Sequence, residues 1–228
     1  MLPWLDPNDD ATPFPQLESA LDEPNGLLAA GGSLRPERLL NAYRRGVFPW
    51  FDDDQPILWW SPDPRMVLKP NGIRVSRSLR KTINKDVFHC TVDTRFSDVI
   101  TACSKPRDEQ DGTWITATMI QAYETLFQQG HAHSVEVWSD DTLVGGLYGI
   151  AIGQVFFGES MFSRKSDASK VGFAFLSKQL SAWNYQLIDC QVQSEHLESL
   201  GASLVNRDTF AQQLDEFCQL LPSKDAWY

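Results

Sequence analysis

The pattern of apolar residues along this sequence predicts an α+β protein, with a small N-terminal domain and a larger C-terminal one. Three observations carry that expectation. Over the second half, strand-like and helix-like runs follow one another in the order strand, strand, strand, helix, strand, helix. Earlier, Ser61-Pro62-Asp63-Pro64 brings two prolines together, each disfavouring helix in the residue before it, so this stretch reads as a rigid non-helical joint. Finally, 228 residues, of which 42% are hydrophobic, suffice for one large domain or for a small domain packed on a larger one. The boundary falls at the prolines, giving domains 1–62 and 63–228.

Before the joint, Pro36 to Arg45 reads as a short helix. Pro36 suits the first turn, Leu39, Leu40 and Tyr43 give an apolar stripe, and Gly46 fits the stop. After it, Ile115 to Gln129 forms a longer helix with Ile115, Met119, Tyr123 and Leu126 on one face and Gly130 at its end. Three strands follow, Ser134–Trp138, Thr142–Ile150 and Gln154–Phe162. The turn signals Asp140-Asp141 and Ile152-Gly153 make them an antiparallel meander. A helix is expected from Ala168 to Trp183 with Asp167 as N-cap, then a strand Leu187–Val192 and a last helix Thr209–Leu220.

The net charge of −10 speaks against a polyanion as ligand, but the charges are unevenly spread. Residues 1–34 hold six acids and no base, whereas residues 65–85 hold seven bases (Arg65, Lys69, Arg74, Arg77, Arg80, Lys81, Lys85) and no acid. Such a stripe can bind nucleic acid while the remaining surface repels it. A solvated helix face would give the same pattern. No run of 18 apolar residues occurs, so no membrane-spanning helix is expected. The acidic start, Met1 to Thr12, lacks the basic and apolar segments of a secretory signal. Cys90, Cys103, Cys190 and Cys218 have neither metal-ligand spacing nor the density of a disulfide framework. Reduced core thiols in a cytoplasmic protein are the expectation.

Several residue groupings invite a chemical reading. Phe156-Phe157-Gly158-Glu159-Ser160-Met161-Phe162 sets one carboxylate among large apolar side chains, which is costly unless Glu159 meets water, a partner or a ligand. Ser160 is no serine-nucleophile elbow, because Phe162 stands where that motif needs its second glycine. His131 and His133 near Glu136 lack a third well-spaced metal ligand and suit structural roles. In Leu187–Val192, strand alternation puts Leu187, Asp189 and Gln191 on one face and the core-like Ile188, Cys190 and Val192 on the other. A carboxylate beside an amide in mid-strand points to a cleft, or else to an ion pair between Asp189 and a lysine or arginine. Trp50 with Trp59-Trp60, and Trp114 in its own cluster, are either core or flat faces for a nucleobase.

These blocks together carry a resemblance. The chain resembles the bacterial leucyl/phenylalanyl-tRNA–protein transferases in Glu23-Pro24-Asn25-Gly26-Leu27-Leu28-Ala29, Gly46-Val47-Phe48-Pro49-Trp50-Phe51, Trp59-Trp60-Ser61-Pro62-Asp63-Pro64-Arg65 and Gly112-Thr113-Trp114-Ile115-Thr116. It does so again in Gly130-His131-Ala132-His133-Ser134, Phe157-Gly158-Glu159-Ser160-Met161-Phe162-Ser163 and Leu187-Ile188-Asp189-Cys190-Gln191. The likeness spans roughly residues 13 to 210 without large gaps. It implies a C-terminal domain with an N-acetyltransferase-like core, with which the element order above is compatible. It also implies transfer of Leu or Phe, and sometimes Met, from aminoacyl-tRNA to proteins beginning with Arg or Lys, marking them for proteolysis in the N-degron pathway. By the same resemblance, Trp50 and Trp114 hold the terminal adenosine, and Asp189 and Gln191 act at the reacting amine. Glu159 and Ser160 belong to the substrate site, and Leu147 and Phe156 line the side-chain pocket. Arg74, Arg77, Arg80, Lys81 and Lys85 contact the tRNA acceptor. Arg74 stands where the family commonly has a histidine, and Thr82-Ile83-Asn84 thins the charge of this stretch. A monomer with no membrane partner is expected.

An aminoacyl ester is already activated, so this reaction calls for no metal or other cofactor. The expected mechanism has Asp189 draw the amine proton electrostatically through Gln191, whose side-chain carbonyl accepts from the amine; Asp189 either takes the proton itself or only orients Gln191. Two rivals remain at this stage. An acyl-CoA acyltransferase would cradle pyrophosphate on a glycine-bearing loop before a helix, but Ser163-Arg164-Lys165-Ser166-Asp167 contains no glycine. A non-catalytic RNA-binding module would leave the Asp189/Gln191 face unexplained.

Overall fold

The computed structural model describes residues 2–105 and 114–227. Gly112 and Thr113, part of the tryptophan block read above, lie outside the described residues. A four-stranded sheet is built from β1 (Trp4–Leu5), β2 (Leu27–Gly31), β3 (Phe48–Pro49) and β4 (Leu58–Trp60), in the order β1-β2-β4-β3. Helix α1 (Pro36–Arg44) joins β2 to β3. It begins at Pro36, and Gly46 beyond it takes φ +73°, a value glycine reaches without steric cost. Its buried face is Leu39, Leu40, Ala42 and Tyr43, together with Arg38. The guanidinium of Arg38 donates to the carbonyls of Asp9 and Thr12, so this buried cation ties down the N-terminal segment.

The remainder forms a seven-stranded sheet, ordered β11-β5-β10-β9-β8-β7-β6. Its strands are β5 (Arg65–Leu68), β6 (His89–Val92), β7 (Ala132–Ser139), β8 (Thr142–Ile152), β9 (Val155–Ser163), β10 (Leu187–Gln191) and β11 (Ser203–Val205). Its helices are α2 (Arg77–Asn84), α3 (Phe96–Cys103), α4 (Ala117–Gln128), α5 (Ala168–Ala182), α6 (Glu195–Ser199) and α7 (Arg207–Phe217). The meander β7–β8–β9 is antiparallel, as the turn signals predicted, while α5 carries the chain across to a parallel pairing of β9 with β10. Helix α4 is capped by the Thr116 hydroxyl, which accepts from the Met119 N–H, and it buries Met119, Tyr123 and Leu126 as expected.

Three local expectations are corrected. Asp167 precedes α5 in a left-handed conformation (φ +66°) and makes no side-chain cap. Its carboxylate instead accepts from the Thr82 hydroxyl and pairs with Lys170 at 3.4 Å. The last helix starts earlier than expected, because Asn206 caps it by accepting from the Thr209 N–H at 2.7 Å. Arg65 does not belong to the basic stripe, since it is fully buried on β5.

One apolar core joins both sheets. Leu28, Leu39, Tyr43 and Trp59 pack in the same cluster as Tyr123, Tyr148, Phe157, Phe210 and Leu214. None of the four cysteines is joined to another in a disulfide. Among the described residues no helix is long and apolar enough to cross a membrane.

Candidate active site

The site arises where two strands part. β9 and β10 run in register from Val155/Leu187 to Phe157/Asp189, and their pairing ends there. Each strand then bulges. On β9, Tyr148 of β8 pairs with Ser160 and Gly149 with Gly158, which leaves Glu159 as the extra residue. On β10, Asp189 pairs with Val67 of β5 and Gln191 with Met66, which leaves Cys190 extra. Gln191 adopts φ +61°. A bulge breaks the two-residue alternation of a strand and re-aims side chains. The expected division of β10 into a site face and a core face therefore fails. Ile188 and Cys190 wall the same cavity as Asp189 and Gln191, and Val192 is 48% exposed.

This cavity measures about 350 Å³. Leu147, Phe156, Met161, Phe173, Leu176 and Ile188 give it apolar walls, with Ser160 also on its lining. A second hollow of about 170 Å³ is lined by Phe48, Pro49 and Trp50 from the first sheet region and by Trp114. Trp114, Glu159, Gln191 and Val192 line both hollows, so these four mark where the two meet.

A polar network sits at that border. Glu159 accepts from the Tyr43 hydroxyl at 2.8 Å, the Tyr123 hydroxyl at 2.9 Å and the Gln191 side-chain amide at 2.8 Å. The two phenol oxygens also touch one another. Burial is the main force on Glu159, and the bonds from Tyr43 and Tyr123 oppose it without cancelling it. Its pKa rises from the ordinary 4.5 to about 7. Burial, reinforced by Glu159, pushes both phenols well above their usual range, so they stay protonated donors. Because the Gln191 NH₂ group is committed to Glu159, the amide's oxygen is the atom left to accept from a ligand.

Asp189 is held differently. Both its oxygens take the Arg65 guanidinium, from Nε at 2.8 Å and from a terminal nitrogen at 2.7 Å, and Oδ1 also accepts the Gln191 backbone N–H at 2.9 Å. Arg65 lies between the rings of Phe48 and Phe210, 4.8 and 4.7 Å from their centroids, and donates to the Gly46 carbonyl. The ion-pair alternative left open for Asp189 is thus the geometry found. Cys190 also faces the cavity, but burial drives its thiol pKa up, so it is no thiolate nucleophile.

The structure brings most of the singled-out residues to one place: Leu147, Phe156, Glu159, Ser160, Asp189 and Gln191 at the cavity, Trp50 and Trp114 at its neighbour. Arg74, Arg77, Arg80, Lys81 and Lys85 are all exposed, along or beside α2, and line neither hollow. Reading the sequence missed Arg65, Tyr43 and Tyr123 as members of the site. Their signal was present only for Arg65, a base directly after the proline joint. His133 and Glu136 are occupied by hydrogen bonds. His133 donates to Asp93 at 2.7 Å, and Glu136 collects the hydroxyls of Thr91, Thr94 and Ser134.

An α+β protein whose sheet parts over an apolar cavity, with an amide and a high-pKa carboxylate at its edge, is suited to hold an apolar group beside a proton-accepting centre. Acyl-group transfer is a reaction that such an arrangement can accommodate. Residues 67–215 match the family model described as leucyl/phenylalanyl-tRNA protein transferase, and residues 32–63 match that of its N-terminal domain. The leucyl/phenylalanyl-tRNA–protein transferase of Cellvibrio japonicus is 56% identical over 96% of this chain and 92% of its own length. That of Pseudomonas fluorescens is 56% identical over 100% of this chain and 99% of its own. A GCN5-related N-acetyltransferase from Kribbella flavida superposes on 74% of this chain and 60% of its own, with 10% identity and a TM-score of 0.37. The chain belongs to the leucyl/phenylalanyl-tRNA–protein transferase family, a family of aminoacyltransferases.

Proposed function

We propose that this enzyme moves Leu or Phe, and also Met, from aminoacyl-tRNA to the N-terminal Arg or Lys of a protein, creating an N-degron. The cytoplasm, where aminoacyl-tRNA is made, is then its place of work. The observation that carries the reading is the apolar cavity meeting the Trp50–Trp114 hollow at Glu159 and Gln191. In this reading the donor's side chain fills the cavity against Leu147 and Phe156, with Ser160 on the lining. The terminal adenosine lies against Trp50 and Trp114. Arg74, Arg77, Arg80, Lys81 and Lys85 meet the acceptor-stem phosphates.

The ester is activated, so the enzyme's task is alignment and proton handling. An α-amino group has a pKa of about 8, leaving a useful neutral fraction at working pH. The neutral amine donates to the Gln191 side-chain oxygen and attacks the ester carbonyl. The new N–C bond forms, the bond to the tRNA 3′ oxygen breaks, and one proton must pass from nitrogen to that oxygen. Glu159, joined to Gln191 and with a pKa near neutrality, is the acceptor we assign to that proton, which it then releases to the leaving oxygen. Asp189 works at one remove, holding Arg65 and the Gln191 backbone so that the amide keeps its pose.

The test is transfer of labelled leucine from leucyl-tRNA to a peptide beginning with Arg, in the absence of CoA. Transfer is expected, and its absence with active leucyl-tRNA would remove this reading. Aspartyl-tRNA should fail as donor, because burying an unpaired charge in this cavity is costly.

A further inference from the structure

The segment after α7 lies beyond the residues that match the family model, which end at 215. It is nevertheless anchored. Gln154 donates to the Leu221 carbonyl at 2.7 Å, the Ser223 N–H donates to the Trp183 carbonyl at 3.0 Å, and Asn184 donates to the Ser223 hydroxyl at 3.1 Å. Ala226 is buried in the same apolar cluster as Leu147, Phe156, Phe173, Leu176 and Ile188, all walls of the cavity.

Trp227 ends this run in an unusual state. Its backbone is left-handed, with φ +66°, which is rare for a bulky residue and persists only where packing holds it. Its indole stacks on the His133 ring at 4.0 Å and 10°, and lies against Phe156 at 5.7 Å and 28°. The Trp183 ring lies tilted against it, with centroids 4.9 Å apart, and the Trp227 Nε1–H donates to the Tyr185 hydroxyl at 2.7 Å. Across the sheet, Gly149 faces His133 in register, and the Phe156 ring lies over that glycine. A Cβ at position 149 would fall 2.6 Å from Phe156 Cζ. The Phe156 ring is therefore confined by Gly149 and Trp227 together.

Trp227 does not itself line the cavity. We infer that Trp227 is a positioning residue that acts through Phe156: it braces this wall from outside and so limits the size of the donor side chain the enzyme accepts. The inference rests on the reading that the cavity holds that side chain. Removing the indole leaves a void that the surroundings fill only in part. Phe156 can then retreat, and the pocket deepens for larger side chains.

The experiment uses the full chain and one tRNA body acylated with leucine, phenylalanine or tryptophan. Single-turnover kcat/KM is measured for each donor with the same Arg-initiated peptide, alongside a melting curve. Trp227→Ala should raise the tryptophan-over-leucine ratio by about tenfold, the scale on which apolar pockets separate side chains of different size. A merely structural role would lower all three rates alike and leave the ratios fixed, and that result overturns the proposal. Phe156→Ala is the reference for the pocket itself. If it leaves the ratios unchanged, the pocket reading fails. If it shifts them while a folded Trp227→Ala does not, the pocket stands and the bracing role fails. Should Trp227→Ala not fold, Trp227→Phe shortens the support without emptying it. It should give a smaller rise in the same direction, and no rise overturns the proposal.

Discussion

The pair Arg65–Asp189 is buried on both sides, bidentate, and sits between two phenyl rings. Breaking such a pair strands one charge away from water, which typically costs about 3–5 kcal/mol. Asp189→Asn should therefore lower stability by that amount in urea unfolding at neutral pH, and the double change Arg65→Met with Asp189→Leu should recover most of it. A loss of less than about 1 kcal/mol in the single variant would show that Arg65 finds another partner. Glu159 gives a second test, in pH. Its folded pKa of about 7 exceeds the ordinary 4.5, so between these values the folded protein keeps a proton that the unfolded chain has lost. Stability should fall as pH rises through that window and level off above it. Glu159→Gln should remove this slope and cut turnover by about 10²–10⁴-fold. In the wild type, log kcat/KM should rise with slope two below pH 7, one proton from the peptide amine and one from Glu159. A slope of one in both proteins would exclude Glu159 as the acceptor. At this scale Glu159 and Gln191 were legible because a polar residue in an apolar strand needs an explanation. Tyr43 and Tyr123 were not, because their helical spacing already accounted for them as core. Their rings are core, and only their hydroxyls reach the site.

Among the elements, α2 shows how a charge run and a helix face can be read together. Ser76 caps it by accepting from the Leu79 N–H at 3.1 Å, and Leu79 is its one buried side chain. Arg77, Arg80 and Lys81 are exposed, so changing all three to Glu should leave the fold intact. Fewer counterions would then be released on binding tRNA, so affinity should fall and its log–log salt slope should flatten by about two to three units. A short leucyl-adenosine ester should react nearly as before. Equal damage to both donors would place the tRNA surface elsewhere. The long, strongly periodic elements, α1, α4, α5 and the meander, were legible from the sequence within a few residues. β5 was hidden by Arg65, a cation at the start of a four-residue buried strand. β6 was hidden because it is a short strand of mixed exposure at the sheet edge. The bulges at Glu159 and Cys190 could not be read at all. Period-two reasoning assumes unbroken alternation, and a bulge is set by the pairing of strands far apart in the chain.

The candidate site spans both sheets only in part: the apolar cavity is walled by the larger sheet and its helices, and the first sheet region supplies Phe48, Pro49 and Trp50 to the second hollow. Trp50 is 46% exposed, and its hollow is completed by Trp114, Glu159 and Gln191 from the larger unit. Trp50→Ala and Trp114→Ala should fold and lose about 1–3 kcal/mol of aminoacyl-tRNA binding each, the usual worth of a stacked base. Unchanged affinity in folded variants would return both to the packing of the junction. The shared core makes a stronger demand. Leu39 of α1 is fully buried in the cluster that contains Met119, Tyr148, Phe157 and Phe210 of the larger unit. The division drawn at residue 62 therefore separates two sheets that bury the same apolar residues, and neither sheet buries that surface alone. Leu39→Ala should destabilise the entire chain by about 2–5 kcal/mol, the usual cost of emptying a packed core position. Amide exchange across a urea series would show whether that cost is shared. Protection in β2 and in α5 should disappear at one midpoint, lower than in the wild type, and transfer from leucyl-adenosine ester should be lost on the same curve. If β2 and α1 open at low urea while α5 stays protected, the first sheet is an independent unit, and its residues reach the site by docking rather than by a common fold.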